Sequence, residues 1–222
     1  MRFYIPLDKQ DLLKMSYFSS KAGLAVELSK LKSFQNQKMR LEQYPTPSEL
    51  AAELLWTAYM QGDLKEEVAD FGCGTGILGL GALLLGCTKV YFVESEDLAL
   101  EICKENYQGL LKKYPGLGKV SFEQKDVSQF NKRLRTVLQN PPFGTKEKHL
   151  DQVFLAKAMQ CANIVYTIHK ASTKKFIDRF IDDKNFKITG YYEKAFPLKA
   201  VFSFHKKPKK DIFVGIWRIE KR

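Results

Sequence analysis

The stretch EVADFGCGTGILGLGALLLG, Glu67 to Gly86, changes its periodicity midway. As far as Phe71 it is a short apolar run of strand type, and after Gly76 it reads as an apolar helix closed by Gly86. Gly72, Gly74 and Gly76 lie between the two with G-x-G-x-G spacing. Glycine at such a junction lets the backbone turn sharply and approach a ligand with no Cβ in the way. Amides at the start of the helix, near Thr75 and Ile77, have no intrahelical partner and can donate to an anionic or carbonyl group. Asp70 separates this turn from a dinucleotide-binding one: its carboxylate would repel a pyrophosphate but could accept from an amino group.

Outward from this unit the pattern repeats. VYFVES, VSFEQKD, RTVLQN and NIVYTIH read as further strands, with helices DLALEICKENYQGLLKKY, HLDQVFLAKAMQCA and STKKFIDRFIDD among them, the last opened by Ser172. FKITGYYEKAF and DIFVGIWRIE follow without an intervening helix, so they are expected to pair antiparallel. Alternation of this kind predicts an α/β, Rossmann-like fold: a mostly parallel seven-stranded sheet, helices on both faces and an antiparallel last strand. Ahead of it, Thr46, Pro47 and Glu49 spell a capping box with proline at the first helical position.

Ligands of such sheets bind at the carboxyl ends of the strands. Glu94 closes the second strand 18 residues past Gly76 (94 − 76), a separation at which an acid can reach ribose hydroxyls. Asp126 closes the third and could accept from an adenine amine. Acids at three successive strand ends suit a ligand with a ribose, an adenine and a cationic amino-acid tail but no phosphate. S-adenosyl-L-methionine is such a ligand.

The fourth strand ends in QNPPFG, Gln139 to Gly144. At that edge the Asn140 carboxamide oxygen and the Pro141 carbonyl could accept both hydrogens of a planar exocyclic amine. Pro141 and Pro142 stiffen the acceptors, so little entropy is lost on binding. Phe143 offers a face to a flipped-out base, worth about 1–3 kcal/mol.

Bulk properties bound the reading. The 222 residues suffice for one sizeable core, and 36 basic against 25 acidic side chains leave +11, which favours a polyanionic partner. Cys73, Cys87, Cys103 and Cys161 show no zinc spacing and imply reduced thiols inside a cell; no metal site is expected. No run approaches 18 apolar residues and no signal-peptide core opens the chain, so no membrane role is expected. A cytoplasmic location is expected, or a nuclear one in a eukaryote.

VADFGCGTG, VES, KDV and NPPFGT together resemble class I methyltransferases acting on amino groups of nucleic-acid bases. With LEQYPTP (Leu41–Pro47), TIHKAST (Thr167–Thr173) and FHKKPKKDIFV (Phe204–Val214), the chain is similar to the methyltransferase-like protein five family over about residues 27 to 218. That resemblance implies methylation of adenine N6 in small-subunit ribosomal RNA. It also implies cofactor contacts from Gln43 and Thr46 beside Gly72, Glu94 and Asp126, with Asn140 to Phe143 holding the adenine. Thr46 has a second reading, as a helix cap. Some relatives pair an edge strand with a small zinc-binding activator, here Lys119–Val127. Glu94 stands where the family usually has aspartate, and Arg135 where an acidic residue is common.

Residues 1–40 carry eight Lys/Arg against Asp8, Asp11 and Glu27, and read as a basic extension with an amphipathic helix at Leu24, Leu28 and Leu31; residues 41–222 read as the methyltransferase domain. Six lysines and no acid lie between Lys194 and Lys210, beside Phe196, Phe202 and Phe204. With Lys170, Lys174, Lys175 and Arg179 they form a single-stranded RNA pattern. Lys170, Lys206, Lys207, Lys209 and Lys210 are the expected RNA contacts. His169 and His205 read as polar contacts or phosphate donors. Other readings of the same residues are methylation of guanine N2 or of a glutamine amide, an idle RNA-binding subunit, and a nicotinamide oxidoreductase, the last disfavoured by the glycine spacing and Asp70.

Overall fold

A computed structural model describes residues 16–33, 45–142, 150–196 and 212–222. Gln43, Phe143, His205, Lys206, Lys207, Lys209 and Lys210 lie outside these residues. Among them the elements in chain order are α1 (Lys21–Leu28), α2 (Ser48–Met60), β1 (Glu67–Phe71), α3 (Ile77–Leu84), β2 (Lys89–Glu94), α4 (Asp97–Lys113), β3 (Lys119–Gln124), β4 (Leu134–Gln139), α5 (Leu150–Cys161), β5 (Ala162–Lys170), α6 (Lys174–Asp182), β6 (Phe186–Phe196) and β7 (Ile212–Lys221). Single 3₁₀ turns at Val127–Gln129 and Ala171–Thr173 follow β3 and β5.

The seven strands form one sheet in the order β3-β2-β1-β4-β5-β7-β6. Neighbours from β3 through β5 pair in parallel, and β7 runs antiparallel to both β5 and β6. The anticipated antiparallel pairing of the last two runs is present, with a bulge between Ile188 and Gly190. Chain order reverses between β1 and β4, the place where open α/β sheets bind ligands at strand carboxyl ends.

Alternation along the strands divides the core in two. Val68, Val90, Phe92, Leu138, Tyr166 and Ile168 face helices α1 to α4, while Ala69, Phe71, Val93, Val137 and Val165 face α5 and α6. Each fully buried aliphatic side chain of this kind contributes about 1.5–3 kcal/mol. Helix α1 starts where the Ser20 hydroxyl accepts from the Gly23 amide at 3.2 Å. Its Leu24 and Leu28 enter the same cluster as α2 and α3. Glu27, buried beside them, accepts from Lys30 and Lys113. The basic N-terminal stretch therefore contributes core to the sheet domain.

Two helix starts depart from expectation. Helix α2 begins at Ser48 with Pro47 at its cap and no side-chain capping bond, so the capping box does not form. Ser172 lies in the 3₁₀ turn, and α6 begins two residues later at Lys174. All four cysteines are unpaired and buried.

Candidate active site

Four adjacent strand ends build the site. On β1, Phe71 pairs with Val93 of β2 and with Gln139 of β4, so Asn140 stands level with Gly72. Asp70, buried at the end of β1, accepts from the Gly79 amide at 2.7 Å through Oδ2, satisfying a first-turn donor of α3. Burial pushes the Asp70 carboxyl up to about 7, opposed by that amide and reinforced by the charge of Glu94.

The glycine turn follows directly. Gly72, Gly74 and Gly76 all have positive φ, at 62°, 53° and 91°. A Cβ on Gly76 would stand 2.4 Å from Cys103 Sγ, and one on Gly72 2.8 Å from the Phe154 ring, so packing as well as backbone demands glycine at both. Gly74 differs: a Cβ there would meet nothing within 4 Å, which leaves open space above the turn. Gly76 caps α3, and Ile77 opens the helix with its amide among the first-turn donors. Thr75 is tied from behind, its carbonyl accepting from Asn106 Nδ2 at 3.0 Å.

Glu94 is buried and gathers backbone donors. Its Oε2 accepts from the Gly74 amide at 2.9 Å, and its Oε1 from the amides of Ser95 at 2.9 Å and Glu96 at 3.0 Å. Asp126 does not close β3, which ends at Gln124; it caps the following turn by accepting from the Ser128 amide at 2.8 Å, and is exposed. It still stands on the edge shared with Glu94 and Asp70, because β3, β2 and β1 are neighbours.

At the end of β4, Asn140 Nδ2 donates to Thr46 Oγ1 at 2.9 Å. Thr46 is thus brought to the site by a partner 94 residues away rather than by a helix cap. The bond turns the carboxamide so that Oδ1 is the other terminus, and Oδ1 is a buried acceptor with no donor among the described residues. Pro141 is buried and Pro142 half-buried beside it. Lys170 ends β5 along the same edge, its carbonyl accepting from Thr173 Oγ1 at 2.8 Å, and Lys175, Phe176 and Arg179 on α6 are exposed.

One participant has no counterpart among the sequence expectations. Asn106 Oδ1 accepts from the Lys32 amide at 2.8 Å while its Nδ2 donates to the Lys32 and Thr75 carbonyls, each at 3.0 Å. Its signal was available, an amide on the buried stripe of α4 between Cys103 and Leu110. His169, expected as a polar contact or a phosphate donor, takes the first role against Thr167 Oγ1. It is 2% exposed, which seals it from a phosphate, and burial pulls its imidazole down to about 3, so it is neutral. Among the described residues no group of three or more His, Cys, Asp or Glu is placed to hold a metal ion, and no helix is long and apolar enough to cross a membrane.

Strand order, the glycine turn after β1 and acids along the neighbouring strand ends define a class I methyltransferase fold. The chain belongs to the methyltransferase small domain family, whose model matches residues 48–164, and shares it with the rRNA N(6)-adenosine-methyltransferases of the METTL5 type. It is 34% identical over 196 residues to METTL5 of Danio rerio, covering 86% of this chain and 94% of that one. It is 38% identical over 213 residues to an uncharacterised protein of Methanocaldococcus jannaschii, covering 90% and 94%. A crystal structure of a candidate RNA methyltransferase from Pyrococcus horikoshii matches with a TM-score of 0.80 at 43% identity, covering 92% of this chain and 98% of that one.

The protein is accordingly an enzyme that takes a methyl group from S-adenosyl-L-methionine. The residues present fit that cofactor on the structure's own terms. The space over Gly74 is unobstructed, the buried acid beside it can face an ammonium group, and no phosphate-directed cation stands in the turn.

Proposed function

We propose that this protein methylates the N6 amino group of an adenine in RNA, within ribosomal RNA of the small subunit. The observation that carries the reading is Asn140 Oδ1, a buried acceptor without a donor, oriented by Thr46 and followed directly by the Pro141 carbonyl. A buried polar atom left unpaired costs about 1–3 kcal/mol, so a site that keeps one is built for a donor that arrives from outside. An exocyclic amine brings two hydrogens, one for Oδ1 and one for the Pro141 carbonyl. The names of the METTL5 relatives support adenine in ribosomal RNA as the source of that amine.

When bound, S-adenosyl-L-methionine supplies an electrophilic methyl group on a positively charged sulfur. We assign its binding to Asp70 toward the amino-acid tail, the Gly72–Ile77 turn beneath it, Glu94 toward the ribose and Asp126 toward the adenine, with Gln43 and Thr46 as the family resemblance implies. Asn140 and Pro141 hold the amine nitrogen with its lone pair free. Two prolines keep both acceptors in place, so orientation supplies most of the rate. No strong base is required, because the sulfonium is a good leaving group.

Lys170, Lys175 and Arg179 offer positive charge to phosphates beside the site, and Lys206, Lys207, Lys209 and Lys210, outside the described residues, are further expected RNA contacts. Among the described residues strand β3 is an outer strand of the sheet, paired with β2 alone, and is where the small zinc-binding activator implied by the resemblance would add a strand. The protein is expected to work in the cytoplasm or, in a eukaryote, the nucleus.

The test is mass spectrometry of ribosomal RNA nucleosides from cells with and without the gene. Loss of N6-methyladenosine is the expected result. Unchanged N6-methyladenosine with loss of N2-methylguanosine, or with no nucleoside change, would overturn the adenine assignment.

A further inference from the structure

Thr167 and the buried His169 of the TIHKAST segment take no part in the chemistry above, yet with Gln139 they make a continuous polar chain beneath it. Gln139, one residue before Asn140, donates from Nε2 to Thr167 Oγ1 at 3.0 Å. Thr167 Oγ1 lies 2.8 Å from His169 Nε2, and His169 Nδ1 lies 3.9 Å from Asp151 Oδ2 in the first turn of α5. Gln139, Thr167 and His169 are all buried. The His169 ring is held edge-on against Trp217, centroids 5.6 Å apart, and Trp217 in turn donates to Asp178 at 2.9 Å.

The direction of donation follows from charge. A neutral imidazole facing a carboxylate with Nδ1 keeps its proton there, because the opposite tautomer would aim a lone pair at the anion. Nε2 is then the acceptor, so Thr167 donates its hydroxyl hydrogen to His169 and takes the Gln139 amide on a lone pair. Hydrogen-bond donation runs one way, from Gln139 at the end of β4 to His169 on β5, and the Nδ1–H faces Asp151 across 3.9 Å, beyond hydrogen-bond distance. Three buried polar side chains could be replaced by apolar ones of similar volume at little cost in stability. Their value lies in fixing one geometry.

We propose that Gln139, Thr167 and His169 are positioning residues for methyl transfer: a buried one-way hydrogen-bond relay that ties the end of β4 to β5 and so holds Asn140 and the Pro141 carbonyl in line with the incoming amine. This rests on the methyltransferase reading of Asn140. None of the three touches substrate or cofactor. They act through the backbone of the residue that follows them.

The first measurement is the tautomer. Long-range ¹H–¹⁵N spectra of labelled protein at pH 7 are expected to show His169 protonated at Nδ1 and bare at Nε2. An Nε2–H tautomer or an imidazolium would overturn the relay. The second is kinetic, using labelled S-adenosyl-L-methionine and RNA extracted from cells lacking the protein. His169→Ala is expected to lower kcat about tenfold, with KM for RNA and the affinity for S-adenosylhomocysteine within about twofold of wild type. His169→Gln, whose Oε1 can take the Thr167 hydroxyl, should recover most of that loss. Thr167→Val, equal in volume, should reproduce the defect and Thr167→Ser should not, and this pair decides the matter if His169→Ala fails to fold. A wild-type kcat in a His169→Ala or Thr167→Val protein that merely melts earlier would overturn the proposal. Wild-type protein that binds S-adenosylhomocysteine but methylates no RNA would condemn the functional reading instead, leaving the tautomer to decide whether the relay exists.

Discussion

The ends of β1 and β2 and the end of β4 treat their polar groups in opposite ways. At the first, the chain satisfies itself: Asp70 takes the Gly79 amide, and Glu94 takes three amides, one of them from the glycine turn. At the second, the Asn140 amide is satisfied on its nitrogen side and left open on its oxygen side. A cofactor site closed by its own backbone keeps its shape when empty. An acceptor left open binds whatever brings a hydrogen in the right place, which is how a site selects an amine. Stability and selectivity thus sit on neighbouring strands.

The sharpest way to break this contrast is Asn140→Ala. Removing a preorganised hydrogen-bonding group that acts on the reacting atom typically costs 10²–10³ in kcat, and a loss of about that size is expected here. Affinity for S-adenosylhomocysteine should stay within about twofold, and the melting temperature should hold or rise, because an unsatisfied acceptor has been removed. Methyl transfer at full speed in this variant would remove the basis of the adenine reading.

Two glycines sharpen the other half. Gly76→Ala forces a methyl to within 2.4 Å of Cys103 Sγ at a φ of 91°, and about 2–5 kcal/mol of stability should be lost. Gly74→Ala puts a methyl into space open among the described residues at a φ of 53°, costing about 1 kcal/mol of strain while intruding on the proposed cofactor site. Urea unfolding should separate the two, and calorimetric titration should show the affinity of Gly74→Ala for S-adenosylhomocysteine at least about 30-fold weaker. Equal binding by Gly74→Ala and wild type would mean that the cofactor does not pass over this turn.

Local pattern carried most of this fold, and distance in sequence marks where it stopped. The strands and the helices between them follow from apolar periodicity, and the β6 run Phe186–Phe196 was legible to the residue. So were Asp70, Glu94 and the three glycines, which lie within 25 residues of one another (94 − 70 = 24). What pattern missed was pairing across the chain. Thr46 read as a helix cap locally, but its hydroxyl is claimed by Asn140. Gln139 meets Thr167 28 residues on, in a neighbouring strand. Arg135, unexplained from sequence, reaches Asp63 at 3.9 Å and Glu66 at 3.6 Å at the amino-terminal end of the sheet, away from the site. Asp126 was misplaced by two residues because the strand ends at Gln124 and a turn signal follows.

The pH dependence of the cofactor site tests whether its self-sufficiency comes at the expense of charge. Asp70 has its carboxyl raised to about 7 by burial, so near neutrality it is half protonated. Its raised value stabilises the empty protein at low pH, and that contribution is lost as pH rises from about 4 through about 7. A shift of this size corresponds to roughly 4 kcal/mol between the two ionisation states. Ligand binding should run the other way, since an ammonium group is held by the carboxylate form. Affinity for S-adenosylhomocysteine is expected to strengthen about tenfold between pH 6 and pH 8, and Asp70→Asn should flatten the profile. A flat wild-type profile would place the ammonium elsewhere.

Thr46 joins the two regions, and its removal should have the smallest effect. Its oxygen accepts from Asn140 at 2.9 Å, which sets the orientation of the carboxamide proposed to hold the amine. Loss of one neutral hydrogen bond is worth about 0.5–1.5 kcal/mol, so Thr46→Ala should lower kcat about 3- to 10-fold. Thr46→Ser keeps the oxygen and should act nearly as wild type, whereas Thr46→Val keeps the volume and should act as alanine does. The decisive comparison is Thr46→Ala in an Asn140→Ala background. With the carboxamide gone, the threonine has nothing to orient, and the second substitution should add almost nothing to kcat. Full additivity would mean that Thr46 serves the cofactor alone and that the two strand ends work independently.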